Sequence, residues 1–198
     1  MNKKEKQNEF YSPMPYIMAA ILICAVLLCV VFSVLYNCNN QGWMLSCAIT
    51  FGVIAYHFFI RFVSLVIIVA VSHKKYNYKN RWFRPKSWEP RLYSLIKVKN
   101  WKNKMAVFTF NPREFSAKLH SYDEIINNMC HAELVHELIV LLSFTSLFFA
   151  IPFGAFWVFM ITAIAAAMLD MSFVILQRYN RPRVVKIIER KGIHQSFG

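Results

Sequence analysis

The sequence predicts an all-α integral membrane protein with four transmembrane helices and a large cytoplasmic amphipathic, interfacial loop between the second and third. Hydrophobic residues make up 57% of the chain while its net charge is +13, so apolar and basic residues must be segregated. Four apolar runs long enough to span a membrane follow one another. Lys and Arg lie almost wholly outside those runs.

Met14 to Tyr36 is an uninterrupted apolar run, and about 20 such residues cross roughly 30 Å of hydrocarbon. The run is too long for the apolar region of a signal peptide, and no small-x-small cleavage site follows. It therefore reads as a permanent helix. Residues 43–72 form a second, longer run with room to tilt. Residues 134–150 and 155–176 are the third and fourth, parted by Ile151-Pro152-Phe153-Gly154. The chain reads as one membrane domain, 1–198, with spans 14–36, 43–72, 134–150 and 155–176, an interfacial segment 73–133 and a tail 177–198.

Charge orients these spans. Of the 23 Lys and Arg residues, three precede Met14, thirteen lie between His73 and Glu133 and six follow Leu176. The remaining one, Arg61, sits within the second run, and the turns 37–42 and 151–154 carry none. Basic loops stay on the cytoplasmic side, which puts both termini and the 73–133 loop in the cytoplasm. The five cysteines read as small buried hydrophobes, although Cys38 and Cys47 straddle an outer turn.

The middle loop interleaves Tyr76, Tyr78, Trp82, Phe83, Trp88, Tyr93, Trp101, Phe108, Phe110 and Phe115 with basic residues. Such a pattern can bind single-stranded nucleic acid. Beside four membrane spans, an interfacial role facing anionic lipid headgroups is the simpler reading, and no nucleic-acid partner is expected. Arg91 to Ile96 reads as a short helix or strand, and Asn111-Pro112 as a turn. Ser121-Tyr122-Asp123-Glu124 has the spacing of a capping box. In the helix it opens, Ile125, Met129, Glu133 and His136 share one face.

Two polar clusters flank the long apolar region. The first is Ala132-Glu133-Leu134-Val135-His136, and the second Gln177-Arg178-Tyr179-Asn180-Arg181-Pro182-Arg183. Residues three apart on a helix can touch, and a carboxylate beside an imidazole raises its basicity. Such a histidine can accept a proton from an attacking hydroxyl. Zinc competes as a reading, because Cys130, His131, Glu133, His136 and Glu137 are all ligand types. No His-Glu-x-x-His is present, His131 and His136 point to different sides of a helix, and no metal is expected. The arginines suit phosphate recognition as well as membrane anchoring, Asn180 can donate to a developing oxyanion, and Pro182 can re-aim the chain.

These strings, together with Trp88-Glu89, Tyr93 and Lys97-Val98-Lys99-Asn100-Trp101-Lys102, resemble the glycosyl-diaponeurosporenoate acyltransferases. Those are small bacterial membrane enzymes associated with the last acylation of staphyloxanthin-type carotenoids. The resemblance covers roughly Tyr76 to Lys191, and Gln177 to Arg183 is its most specific part. Met105-Ala106-Val107 stand where relatives have an acidic residue. Asn128-Met129-Cys130-His131 replace a Glu-Thr and a basic residue before the Ala-Glu, so the carotenoid acceptor is not carried over.

The resemblance implies a multi-pass enzyme of the bacterial cell membrane that esterifies a hydroxyl of a lipid or glycolipid acceptor. Its acyl thioester co-substrate would be acyl-CoA or acyl carrier protein, with no resident cofactor. His136 is then the expected general base and Glu133 its orienting carboxylate, with Asn180 at the oxyanion. Arg178, Arg181 and Arg183 are expected on donor phosphates, with Gln177, Tyr179, Trp88, Glu89, Trp101 and Lys102 as further binding residues. His57, Arg61 and Asp170 are the polar residues within the spans. Similar depths predict an Arg61–Asp170 ion pair, with a polar path along the membrane as the functional alternative. A non-catalytic adaptor that binds lipid or a partner enzyme through the basic loop is the rival from another class. A transporter is a weaker one, because no internal repeat is evident. Oligomeric state is left open.

Overall fold

The computed structural model describes residues 12–73, 75–105 and 111–191. The basic residues before Met14, Phe108 and Phe110 of the aromatic loop, the Ala106-Val107 departure and the final stretch 192–198 lie outside the described residues. Every regular element among the described residues is helical. In chain order they are α1 (Met14–Asn39), α2 (Gly42–Ser72), α3 (Glu89–Leu95), α4 (Val98–Met105), a 3-10 turn (Pro112–Phe115) and α5 (Tyr122–Thr145). A second 3-10 turn (Ser146–Phe149), the short α6 (Ala150–Phe153) and α7 (Phe156–Lys191) complete the order. Four helical stretches are long and apolar enough to cross a membrane.

Local chemistry explains where these helices begin and end. Asn40 closes α1 in the left-handed region, at φ 51°, a conformation asparagine tolerates. Gly154, at φ 67°, does the same after α6 and returns its amide to the Ala150 carbonyl at 2.8 Å, as expected of a glycine just past a helix end. The capping box forms as its spacing predicts. Ser121 donates its amide to Glu124 Oε2 at 2.8 Å, and the Glu124 amide donates to Ser121 Oγ at 3.3 Å. With its first turn capped, α5 starts at Tyr122 and continues past residue 134, where a spanning helix alone would have begun. Pro182 lies inside α7. The helix runs on through it to Lys191, so the expected surface helix beyond the proline is the last part of α7. Arg91 to Ile96 resolves as helix, within α3 and its end, and Pro112 opens a 3-10 turn.

The chain divides into two compact units, 68–134 with 172–191 and 15–67 with 135–171 among the described residues. α5 and α7 supply residues to both.

In the first unit, Phe83, Ile126, Cys130 and Ile188 form a buried cluster, with Tyr76, Tyr78, Tyr122, Leu134, Val184 and Val185 packed on it. Aromatic residues of the middle loop are thus partly a protein core, which corrects the purely interfacial reading. Trp82 and Trp88 do remain exposed. The loop is tied to α5 by polar bonds as well. The Tyr76 amide donates to Asn127 Oδ1 at 2.9 Å, the Tyr76 hydroxyl meets His131 Nδ1 at 2.8 Å, and Asn128 Nδ2 donates to the Glu114 carbonyl at 2.8 Å.

In the second unit, Phe32 stacks on Phe51 at 5.7 Å. Gly52 allows α1 to approach, since a Cβ there would stand 3.4 Å from Cys29 Sγ. The Tyr56 hydroxyl donates to the Leu142 carbonyl at 2.8 Å. Ser33 and Ser143 return their hydroxyls to carbonyls four residues back, at 2.7 and 2.8 Å, which satisfies polar groups where no water is at hand. All five cysteines are free. Cys130 is buried, while Cys24 and Cys38 are exposed, so uniform burial of the cysteines does not hold.

Candidate functional site

Each unit carries one polar constellation. In the first, two carboxylates and two guanidiniums neutralise one another. Glu89, the first residue of α3, is 2% exposed, and Glu133 on α5 is fully buried. Arg178 on α7 donates Nε to Glu89 Oε1 at 2.9 Å and Nη1 to Glu133 Oε1. It also reaches the carbonyls of Trp82 and Arg84 at 3.1 and 3.2 Å. One turn on, Arg181 donates to Glu133 Oε2 and to the Phe83 carbonyl, with its guanidinium 5.2 Å from the Phe83 ring centroid. The Tyr93 hydroxyl donates to Glu89 Oε2 at 3.0 Å. Burial, and then the negative charge of Glu89, push the Tyr93 phenol above its ordinary range.

This arrangement corrects two expectations. Glu133 does not orient His136, because its two oxygens are engaged by Arg178 and Arg181. Those two arginines in turn hold the 82–84 loop and two buried carboxylates together. Breaking one such buried pair typically costs about 3–5 kcal/mol, because it strands the other charge.

Arg183 is placed differently. Its guanidinium stacks 3.6 Å over the Tyr179 ring, and Tyr179 meets Tyr93 edge to face at 5.3 Å. Both line a cavity of about 570 Å³. Lys102 lies over the same Tyr179 ring, with Nζ 5.7 Å from its centroid. Trp101 donates its indole N–H to the Ile96 carbonyl at 2.9 Å, fixing the turn between α3 and α4. Trp88 precedes α3 and is exposed, Gln177 is buried and Asn180 half-buried. The described lining of the cavity includes neither Gln177 nor Asn180.

The second constellation lies in the apolar unit and centres on Asp170, which is 1% exposed. Its Oδ2 accepts from Arg61 Nη2, and its Oδ1 lies 2.9 Å from His136 Nδ1. Arg61 also donates to the His57 carbonyl and lies 5.6 Å from the Phe58 ring centroid. The expected Arg61–Asp170 pair therefore exists, and it belongs to a triad that includes His136. Asp170 as the imidazole's carboxylate is the residue that sequence reasoning missed. Its signal was present, since a lone acid in a lipid-like run needs partners, but one arginine at matching depth looked sufficient. His57 is 7% exposed, and neither ring nitrogen has a hydrogen-bond partner among the described residues.

Chemically, a buried carboxylate on Nδ1 selects the tautomer with that nitrogen protonated, which leaves Nε2 as the basic atom. Arg61 donates to the other carboxylate oxygen and fixes it in place. Among the described residues, no three His, Cys, Asp or Glu side chains are arranged to hold a metal ion.

Neither the curated proteins nor the solved structures contain a match to this chain. A family model, described as glycosyl-4,4'-diaponeurosporenoate acyltransferase, matches residues 79–190. That span contains Glu89, Glu133, His136, Asp170, Arg178 and Arg181, the members of both constellations apart from Arg61. With more than half of its length matched, the chain belongs to the glycosyl-4,4'-diaponeurosporenoate acyltransferase family.

Proposed function

We propose that this protein is a multi-pass O-acyltransferase of the bacterial cell membrane. In this reading it transfers an acyl group from a thioester donor to a hydroxyl of a lipid or glycolipid, with both termini and the 73–133 loop in the cytoplasm. The bond between His136 Nδ1 and Asp170 Oδ1, at 2.9 Å, is the observation that carries it. A histidine oriented by a carboxylate is the group that acyl transfer to a weakly acidic hydroxyl requires.

In the proposed reaction His136 Nε2 takes the proton as the acceptor oxygen attacks the thioester carbonyl. The tetrahedral intermediate collapses with cleavage of the C–S bond. The leaving thiolate then receives the proton from the imidazolium, and the new ester departs. Asp170 holds the imidazole, Arg61 positions Asp170, and a backbone amide donates to the oxyanion. Membership of an acyltransferase family supports the reaction class, and apolar helices around the triad suit an acceptor with a lipid tail.

Comparative lipidomics of cells expressing wild type or His136→Ala tests this reading. A lipid that gains one fatty-acyl ester with wild type alone is the expected result and identifies the acceptor. No difference, with both proteins equally present in the membrane, would overturn it in favour of a lipid-binding adaptor.

A further inference from the structure

The 570 Å³ cavity of the first unit is lined by Arg178 and by four further cations, Lys97, Lys99, Arg183 and Lys186. None of the four forms an ion pair with a described residue. Glu89 is the one acid in the described lining, and its oxygens are held by Arg178 and by the Tyr93 hydroxyl. With Arg178 offset by Glu89 and Glu133, the cavity carries a cluster of uncompensated positive charge. Like charges gathered around a concave wall focus the field, and an anion relieves their repulsion.

Two further features mark a built site. Lys97 has φ 50°, a left-handed conformation that costs little for glycine but is uncommon for a side chain such as lysine. Here it ends α3 in the manner of a residue just past a helix terminus and forms the joint between α3 and α4 that places Lys97 and Lys99 on the cavity wall. Arg183 is held flat against Tyr179 at 3.6 Å. Stacking fixes the plane of a guanidinium while leaving its N–H edge for a phosphate fork. The volume is that of a ligand pocket. Four cations suit a ligand with several phosphates, whereas the phosphopantetheine arm of a carrier protein brings one.

We infer that this cavity receives the phosphate-bearing nucleotide end of an acyl-CoA donor, with Lys97, Lys99, Arg183 and Lys186 as its phosphate ligands. This deepens the acyltransferase reading and rests on it for the choice of donor. The same chemistry would hold a phospholipid headgroup, so the test separates the two sources.

The full chain is placed in phosphatidylcholine nanodiscs and titrated with coenzyme A, 3'-dephospho-coenzyme A and, in nanodiscs doped with it, phosphatidylglycerol. Wild type is compared with Lys99→Gln/Arg183→Gln and with Lys186→Gln, each checked for an unchanged unfolding midpoint. Coenzyme A binding that weakens at least tenfold in the double variant, and with removal of the 3'-phosphate, is expected. Absence of coenzyme A binding, equal affinity in wild type and variants, or displacement of coenzyme A by phosphatidylglycerol would overturn the assignment. If coenzyme A binding depends on Lys99 and Arg183 while no acyl ester forms in cells, the site stands and the acyltransferase reading falls. If the ester forms but binding ignores these residues, the site falls and the reaction stands.

Discussion

His136 and Asp170 meet at 2.9 Å, Nδ1 to Oδ1, across 34 residues of sequence, while Arg61 holds the other oxygen of Asp170. An imidazole that would otherwise choose between two tautomers is thereby committed to one. Arg61 fixes the carboxylate that commits it.

Asp170→Asn tests that commitment. The amide oxygen can accept from a protonated Nδ1 and its N–H can donate to an unprotonated one, so the tautomer is no longer specified and the imidazolium loses its counter-ion. Acyl transfer per folded molecule should fall by about 10²–10⁴, and the folded amount should fall too, since Arg61 loses its counter-ion. Initial rates against acceptor concentration check this, with the loss in kcat and little change in KM.

Glu133 makes the opposite prediction. Its carboxylate closes a buried network with Arg178 and Arg181, so Glu133→Ala leaves Arg178 with Glu89 but strands Arg181, and should destabilise by about 3–5 kcal/mol. Thermal unfolding in detergent should show a lower midpoint and less folded protein. Surviving folded molecules should retain turnover far better than those of Asp170→Asn.

The Tyr93 phenol is raised by burial and by Glu89, so the folded state holds this proton more tightly than the unfolded chain. Its stabilising contribution is complete below the unfolded tyrosine pKa of about 10 and fades as pH climbs from there through the raised folded value. The stability gap between wild type and Tyr93→Phe should therefore shrink at alkaline pH. Unfolding midpoints of the two proteins at pH 8 and above pH 10 measure it.

Ser121→Ala removes one side of the capping box and should cost about 1 kcal/mol with acyl transfer unaltered. Together with Glu133→Ala, it separates loss of fold from loss of chemistry.

Local features were legible because their causes are local. The capping box and the four apolar helices depend on residues a few positions apart and are present, although α1 runs on to Asn39 and the expected 151–154 turn is helical to Phe153 before Gly154. The Arg61–Asp170 pair was legible for another reason, since a charge among lipid-like residues demands a counter-charge at similar depth. Glu133 was misassigned because three residues on a helix make His136 its neighbour, whereas Arg178 and Arg181 lie more than forty positions away. Proximity along a helix is visible in sequence. Competition for a carboxylate by distant guanidiniums is not.

By itself, then, the sequence determined the helical class, the segregation of charge from apolar length, and the residues able to do chemistry. Apart from the Arg61–Asp170 pair, tertiary structure decided which carboxylate serves which cation. Glu133 and Glu89 neutralise Arg178 and Arg181, Asp170 takes Arg61 and His136, and the lysines at 97, 99 and 186 with Arg183 form no ion pair with a described residue. A buried ion takes the partner that packing brings within hydrogen-bond distance, and packing is a property of the folded chain.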